Sequence, residues 1–171
     1  MVDAARTWPE TWCAALFQGV SAAIVAVFAY ATVSLVPALQ ESYWAPIAAV
    51  VVLHSDRGTT RRAAVERFFG TIVGSLVGWG CATWWHERLA LYGVGILVAV
   101  GVCYAARLEN ASRLSAVAVT VITLIPRPDP AYEIAFHRFV EVSYGVLCAL
   151  AYTAVVDRVR RRWLIRGTAI R

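Results

Sequence analysis

Residues 43–53 read Tyr43-Trp-Ala-Pro-Ile-Ala-Ala-Val-Val-Val-Leu53. The run is apolar and uncharged, yet as a helix it reaches only about 17 Å. A bilayer's hydrocarbon core is roughly 30 Å thick. So this segment cannot cross unaided, and its flanks decide what it is. Upstream, residues 12–36 carry no charge and extend about 37 Å as a helix, enough to span alone. Pro37 closes that run. Downstream come Asp56, Arg57 and Gly58, where a helix is expected to break. Arg61 to Arg67 then reads as the polar start of a third helix, completed by uncharged residues 68–85. The order is long, short, long. It recurs: 89–106 is a long run, 114–125 a short one, and 131–156 a long one that turns apolar after Glu141. Pro126, Pro128 and Pro130 make the intervening stretch a loop. Residues 158–171 form a basic tail.

Composition gives the same class. The 171 residues are 60% hydrophobic and only 16% charged, with mean hydropathy +0.62. A soluble domain carries about a quarter charged residues, and disorder needs low hydrophobicity. The expected class is an all-α integral membrane protein of one domain. Net charge is +5, all of the basic side chains being Arg. Of the two usual partners of a basic chain, hydropathy selects the lipid bilayer over nucleic acid. Cys13, Cys81, Cys103 and Cys148 stand singly in apolar runs and read as packing residues. The first apolar run is too long for the core of a signal peptide. No hydrolase elbow, zinc-protease motif or phosphate loop is present, so neither catalysis nor a cofactor is expected.

Arginine placement separates a six-span from a four-span arrangement. With six spans and a cytoplasmic N-terminus, only Arg88, Arg127 and Arg138 lie outside; with four spans the arginines divide evenly. The positive-inside rule therefore predicts six spans, both termini being cytoplasmic. Repeat one covers about 8–85 and repeat two about 86–157. At an offset of 71, Arg67-Phe-Phe-Gly-Thr-Ile-Val-Gly74 aligns with Arg138-Phe-Val-Glu-Val-Ser-Tyr-Gly145, sharing Arg, Phe and Gly. The same offset aligns 43–53 with 114–124, whereas the first long helices align poorly. Three spans per repeat is odd, so a duplication would be inverted in the membrane. Paired short segments in inverted halves point to a transporter's binding site.

The stretch 43–53, Asp56-Arg-Gly58, Arg61-Arg62, Arg67-Phe-Phe-Gly-Thr71 and Gly74 resembles the aromatic acid exporter and fusaric acid resistance family. It resembles plant aluminium-activated malate channels more distantly. The likeness is strongest over 43–80 and echoed over 114–145. It implies a six-helix membrane unit that moves organic anions, with efflux of aromatic carboxylates as the expectation. A bacterial inner membrane is the expected setting, with a homodimer as the simplest assembly and an accessory efflux subunit as a further partner. A passive anion channel and a non-transporting scaffold remain as alternatives.

Within that frame, Arg138, with His137 and Glu141, begins the sixth segment, and Arg67, with Glu66, holds the equivalent place in the third. An Arg fork matches a carboxylate, and ionisable groups at membrane depth face a cavity or a partner. The two would form a cationic conduit; alternatively they snorkel or pair with Glu66 and Glu141. Arg57, Arg61 and Arg62 would gather anions at the inner mouth or fix topology. Tyr43 and Trp44 would meet an aromatic substrate or join an interfacial belt with Trp8, Trp12, Trp84, Trp85 and Trp163. Glu133, His137 and Glu141 share a helix face, but two carboxylates and one His are a weak metal set. His54 and His86 suit interfaces. Gly70, Gly74 and Gly78, with Gly145, are a small-residue stripe for close helix packing.

Overall fold

The computed structural model describes residues 8–36, 43–53, 57–84, 89–125 and 130–168, without the side chains of 8–11, 57 and 163–168. The described residues are helical: α1 (Trp8–Val33), α2 (Trp44–Val52), α3 (Arg57–Thr83), α4 (Leu89–Ala105), α5 (Glu109–Leu124) and α6 (Ala131–Thr168). The long-short-long order is present in the first half, with 26, 9 and 27 residues; in the second, α5 has 16 residues beside 17 in α4, so the fifth helix is not the short one expected. Three boundaries differ from expectation. α3 starts at Arg57 and passes through Gly58, because in a first turn few intrahelical bonds depend on that residue. α5 starts at Glu109, five residues before the apolar run, so it is polar at its start and about 24 Å long. α6 continues to Thr168 and absorbs most of the basic tail, since Arg is a good helix former. His54, Trp85, His86, Arg88, Arg127 and the loop prolines 126 and 128 lie outside the described residues.

α4 and α5 join through a tight turn. Leu108 N donates to Cys103 O at 3.2 Å and Arg107 N to Tyr104 O at 2.9 Å. This is the Schellman pattern, with Arg107 in the left-handed position at φ 59°.

Helices successive in the chain alternate in direction. Gln18, early in α1, donates to the carbonyl of Leu53 at the end of α2 (3.2 Å). Tyr144 bonds Thr32 at 2.8 Å, and Tyr152 bonds Ser21 at 2.9 Å, so α6 runs antiparallel to α1. Tyr92 meets Thr120 at 3.0 Å across α4 and α5. α3 and α5 run parallel, Gly70 lying on Ala111, Gly74 on Ser115 and Gly78 on Ile122. α3 and α6 cross at Phe68 and Phe139, whose ring centroids are 5.3 Å apart.

Packing is interlocked between halves. α3 lies chiefly on α5 and α6, and α6 chiefly on α3 and α2; α1 flanks α2 as α4 flanks α5. Burial follows the same exchange. α1 buries Val25, Ala29 and Val33 where α4 buries Gly95, Ala99 and Cys103. α2 buries Ala45, Ala48, Ala49 and Val52 where α5 buries Ser115, Ala118, Val119 and Ile122. These pairs stand 70 residues apart, so the short helices are in register one residue from the sequence alignment, and α1 and α4 correspond despite little identity. α3 and α6 keep the offset of 71: Arg67, Gly70, Thr71, Gly74, Ser75 and Gly78 are buried, as are Arg138, Glu141, Val142, Gly145, Val146 and Ala149.

The core is built of small side chains, which lets backbones approach. A Cβ on Gly74 would lie 2.6 Å from Ser115 O and 2.5 Å from Ala118 Cβ. One on Gly145 would collide with Ala45 O and lie 3.0 Å from Ala48 Cβ. Large apolar side chains point outward instead: α1 exposes Leu16, Phe17, Val20, Ile24, Val27 and Phe28. In water such a face would be an aggregation hazard; in lipid it is solvated. Trp12–Val33 and Ala131–Arg162 are long and apolar enough to cross a membrane, and Leu89–Ala105 is a shorter apolar helix.

Candidate functional site

The two arginines singled out in the sequence are both interior. Arg138 is 4% exposed and Arg67 6%. Arg67 lies ten residues into α3, about 15 Å from its start. Arg138 lies seven residues into α6, about 10 Å from its start. Each directly precedes a ring of the Phe68–Phe139 contact, so the two arginines flank one crossing of the antiparallel α3 and α6. Neither is a snorkelling surface side chain.

Their surroundings differ. Arg138 sits over the face of Trp44, its guanidinium carbon 3.6 Å from the ring centroid. A desolvated cation–π contact of this kind is worth about 2 kcal/mol. Tyr43 tilts against the same indole, with centroids 5.3 Å apart at 46°. Trp44 is therefore engaged by Arg138 inside the fold rather than standing alone in a belt, while Tyr43 is exposed beside it. The position equivalent to Trp44 in α5 is Leu114, which offers Arg67 no ring. Arg67 Nε is buried and meets no hydrogen-bond partner among the described residues.

Glu66 does not take Arg67 as its partner. Adjacent residues on a helix point about 100° apart, while i and i+4 share a face. Arg62 Nε accordingly donates to Glu66 Oε1 at 2.9 Å. Asn110 Nδ2 donates to Glu66 Oε2 at 2.6 Å across α3 and α5. Asn110 escaped the sequence reading; its signal was an amide just ahead of an apolar run, where such side chains bridge helices. Arg61 is exposed, and Arg62 reaches over Glu66 while its side chain stays 74% exposed.

Glu141 is fully buried one turn from Arg138. His137 is half-buried next to Phe136, with ring centroids 6.3 Å apart. Glu133 accepts from Tyr132 at 3.0 Å, near the start of α6. Among the described residues no three His, Cys, Asp or Glu side chains converge to hold a metal ion. Gly70, Gly74, Gly78 and Gly145 all face neighbouring helices, Gly78 with Ile122 Cβ at 3.1 Å from its would-be Cβ.

Buried charges cost several kcal/mol each unless partnered, and in membrane segments they mark pathways. Here two buried arginines stand at register-equivalent places on antiparallel helices. The model of the fusaric acid resistance protein-like family matches residues 21–152. The chain belongs to that family. The match spans α2 to α5 in full, the second half of α1 and the part of α6 that carries Arg138 and Gly145. No curated protein and no solved structure matches the chain. As a fusaric acid resistance-like protein, the chain belongs among membrane transport and resistance proteins, which suits its outward apolar faces. The aromatic acid exporter and fusaric acid resistance likeness read from residues 43–80 is thereby established at the level of the family.

Proposed function

We propose that this protein exports small organic anions, aromatic carboxylates foremost, across the inner membrane of a bacterium. All six helices cross, as two inverted three-helix repeats in a single domain, with both termini in the cytoplasm. Alternating helix direction and the exchanged burial registers support the repeat. The concentration of Arg57, Arg61, Arg62, Arg107, Arg113 and Arg158 at the bundle end formed by the starts of α3 and α5 supports the orientation. The short α2 and α5 form the constriction, their shortfall in length covered by packing inside the protein.

The observation that carries the reading is the pair Arg67 and Arg138. Both are buried, and they approach from opposite ends of one helix crossing. A carboxylate entering from the cytoplasm meets Arg67 first and Arg138 second. Trp44 lies 3.6 Å from the Arg138 guanidinium carbon and restrains that side chain. Tyr43, Arg61, Arg62, His137 and Glu141 line the approaches. No phosphate loop is present in the sequence, so the driving force is a gradient or the membrane voltage. A homodimer is the expected assembly, with an accessory efflux subunit as a further partner.

Flux into proteoliposomes tests this. Chloride, malate and a hydroxybenzoate are offered with and without an imposed voltage. Arg138→Ala and Arg67→Ala are each expected to lower hydroxybenzoate flux by about 100-fold, the cost of a lost charged hydrogen-bond pair. Large, voltage-following chloride currents would replace the exporter with a passive channel. Wild-type flux in both variants would sink the pathway.

A further inference from the structure

A cavity of about 290 Å³ opens where α2 ends and the first turns of α3 and α5 pass each other. It is lined by Val51, Ala63, Glu66, Asn110, Arg113 and Leu114. Its acid is already spent: both oxygens of the buried Glu66 carboxylate take a donor, from Arg62 at 2.9 Å and from Asn110 at 2.6 Å. Arg113 is exposed at the cavity wall and makes no ion pair with any described residue. Within the lining Arg113 balances Glu66, and Arg62, bonded to Glu66 from outside the lining, brings the cavity and its rim to one net positive charge. Asn110 keeps its Oδ1 and its second amide hydrogen for a ligand. The remaining walls, Val51, Ala63 and Leu114, are apolar.

We propose that this cavity is a binding site for a monovalent carboxylate with a small apolar body. The Arg113 fork takes the carboxylate, and Val51, Ala63 and Leu114 cover the apolar part. Glu66 is a positioning residue: it fixes Asn110 and draws Arg62 across the mouth, and its charge trims the site to one anion. The cavity also lies on the way inward. Arg67 follows Glu66 on α3, and a Cβ on Gly70, one turn deeper, would stand 3.1 Å from Leu114 Cβ. As a loading site for Arg67, it rests on the anion-transport reading; as a binding site it does not.

Equilibrium binding of benzoate to the full chain in phosphatidylcholine nanodiscs tests the site, since neutral lipid supplies no competing anionic headgroup. Arg113→Gln is expected to weaken benzoate binding about tenfold, and Arg113→Lys to recover part of it, because a point charge replaces a fork. In flux assays Arg113→Gln raises KM about tenfold and leaves kcat near wild type, whereas Arg67→Ala lowers kcat. Arg113 is exposed, so its variants are expected to keep the wild-type melting temperature. Benzoate binding unchanged in Arg113→Gln, or no binding to the wild type, overturns the proposal. Wild-type flux in Arg67→Ala and Arg138→Ala together with lost binding in Arg113→Gln would retain the site and discard the pathway beyond it.

Discussion

Arg138 on Trp44 is the residue-scale feature with the sharpest consequence. Trp44→Leu removes the π face and keeps an apolar contact; Trp44→Phe keeps a weaker face. Loss of about 1–2 kcal/mol of cation–π contact releases the guanidinium from that restraint. Hydroxybenzoate flux is expected to fall about tenfold in Trp44→Leu and two- to threefold in Trp44→Phe, measured beside Arg138→Ala. Arg107 offers a test of stability instead. A side chain in the left-handed region costs about 1 kcal/mol, which glycine avoids. Arg107→Gly is expected to stabilise the protein by roughly 0.5–1 kcal/mol in detergent thermal unfolding. For Arg67 and Arg138, each at the polar start of a helix, the sequence left an interior site and a snorkelling one both open; burial in the fold decides for the interior. Their partners were not legible in the sequence. That Trp44 meets Arg138 depends on how α2 and α6 cross, and 94 residues of chain separate the two.

Helices are held here by absence of side chain. Gly74→Ala and Gly145→Ala each place a Cβ against a backbone carbonyl of the opposing short helix, where nothing can swing aside. Each is expected to cost about 1–3 kcal/mol, the range for overpacking. Gly93→Ala and Gly101→Ala meet nothing within 4 Å and are expected to be neutral or slightly stabilising. Melting temperatures of the four variants in one detergent decide it. The glycine stripe was visible as a four-residue period, and the short α2 between two long helices as charge-free runs. The limits of α3, α5 and α6 were not, because hydropathy marks where lipid contact ends while the hydrogen-bonded helix runs on through polar residues. Identity likewise failed to align α1 with α4, since only the buried stripe of a lipid-facing helix is constrained by shape.

At the scale of the whole molecule, the bundle has an arginine-rich end and an end marked by Tyr132 and Glu133. Cysteines introduced at Arg113 and at Tyr132, both exposed, are expected to react with an impermeant thiol reagent from opposite faces of oriented vesicles. The native Cys13, Cys81, Cys103 and Cys148 are replaced first. Labelling of both sites from one face would remove the six-span arrangement. The interlocked packing also sets a schedule for biosynthesis. α2 emerges from the ribosome with nine helical residues, about 14 Å of helix. Its principal partner, α6, begins at residue 131, and the glycine face of α3 waits for α5. For that interval the first half is an open clamp with bare backbone along one edge. Chains arrested before α6 are therefore expected to be more protease-sensitive than the full chain, which limited proteolysis checks.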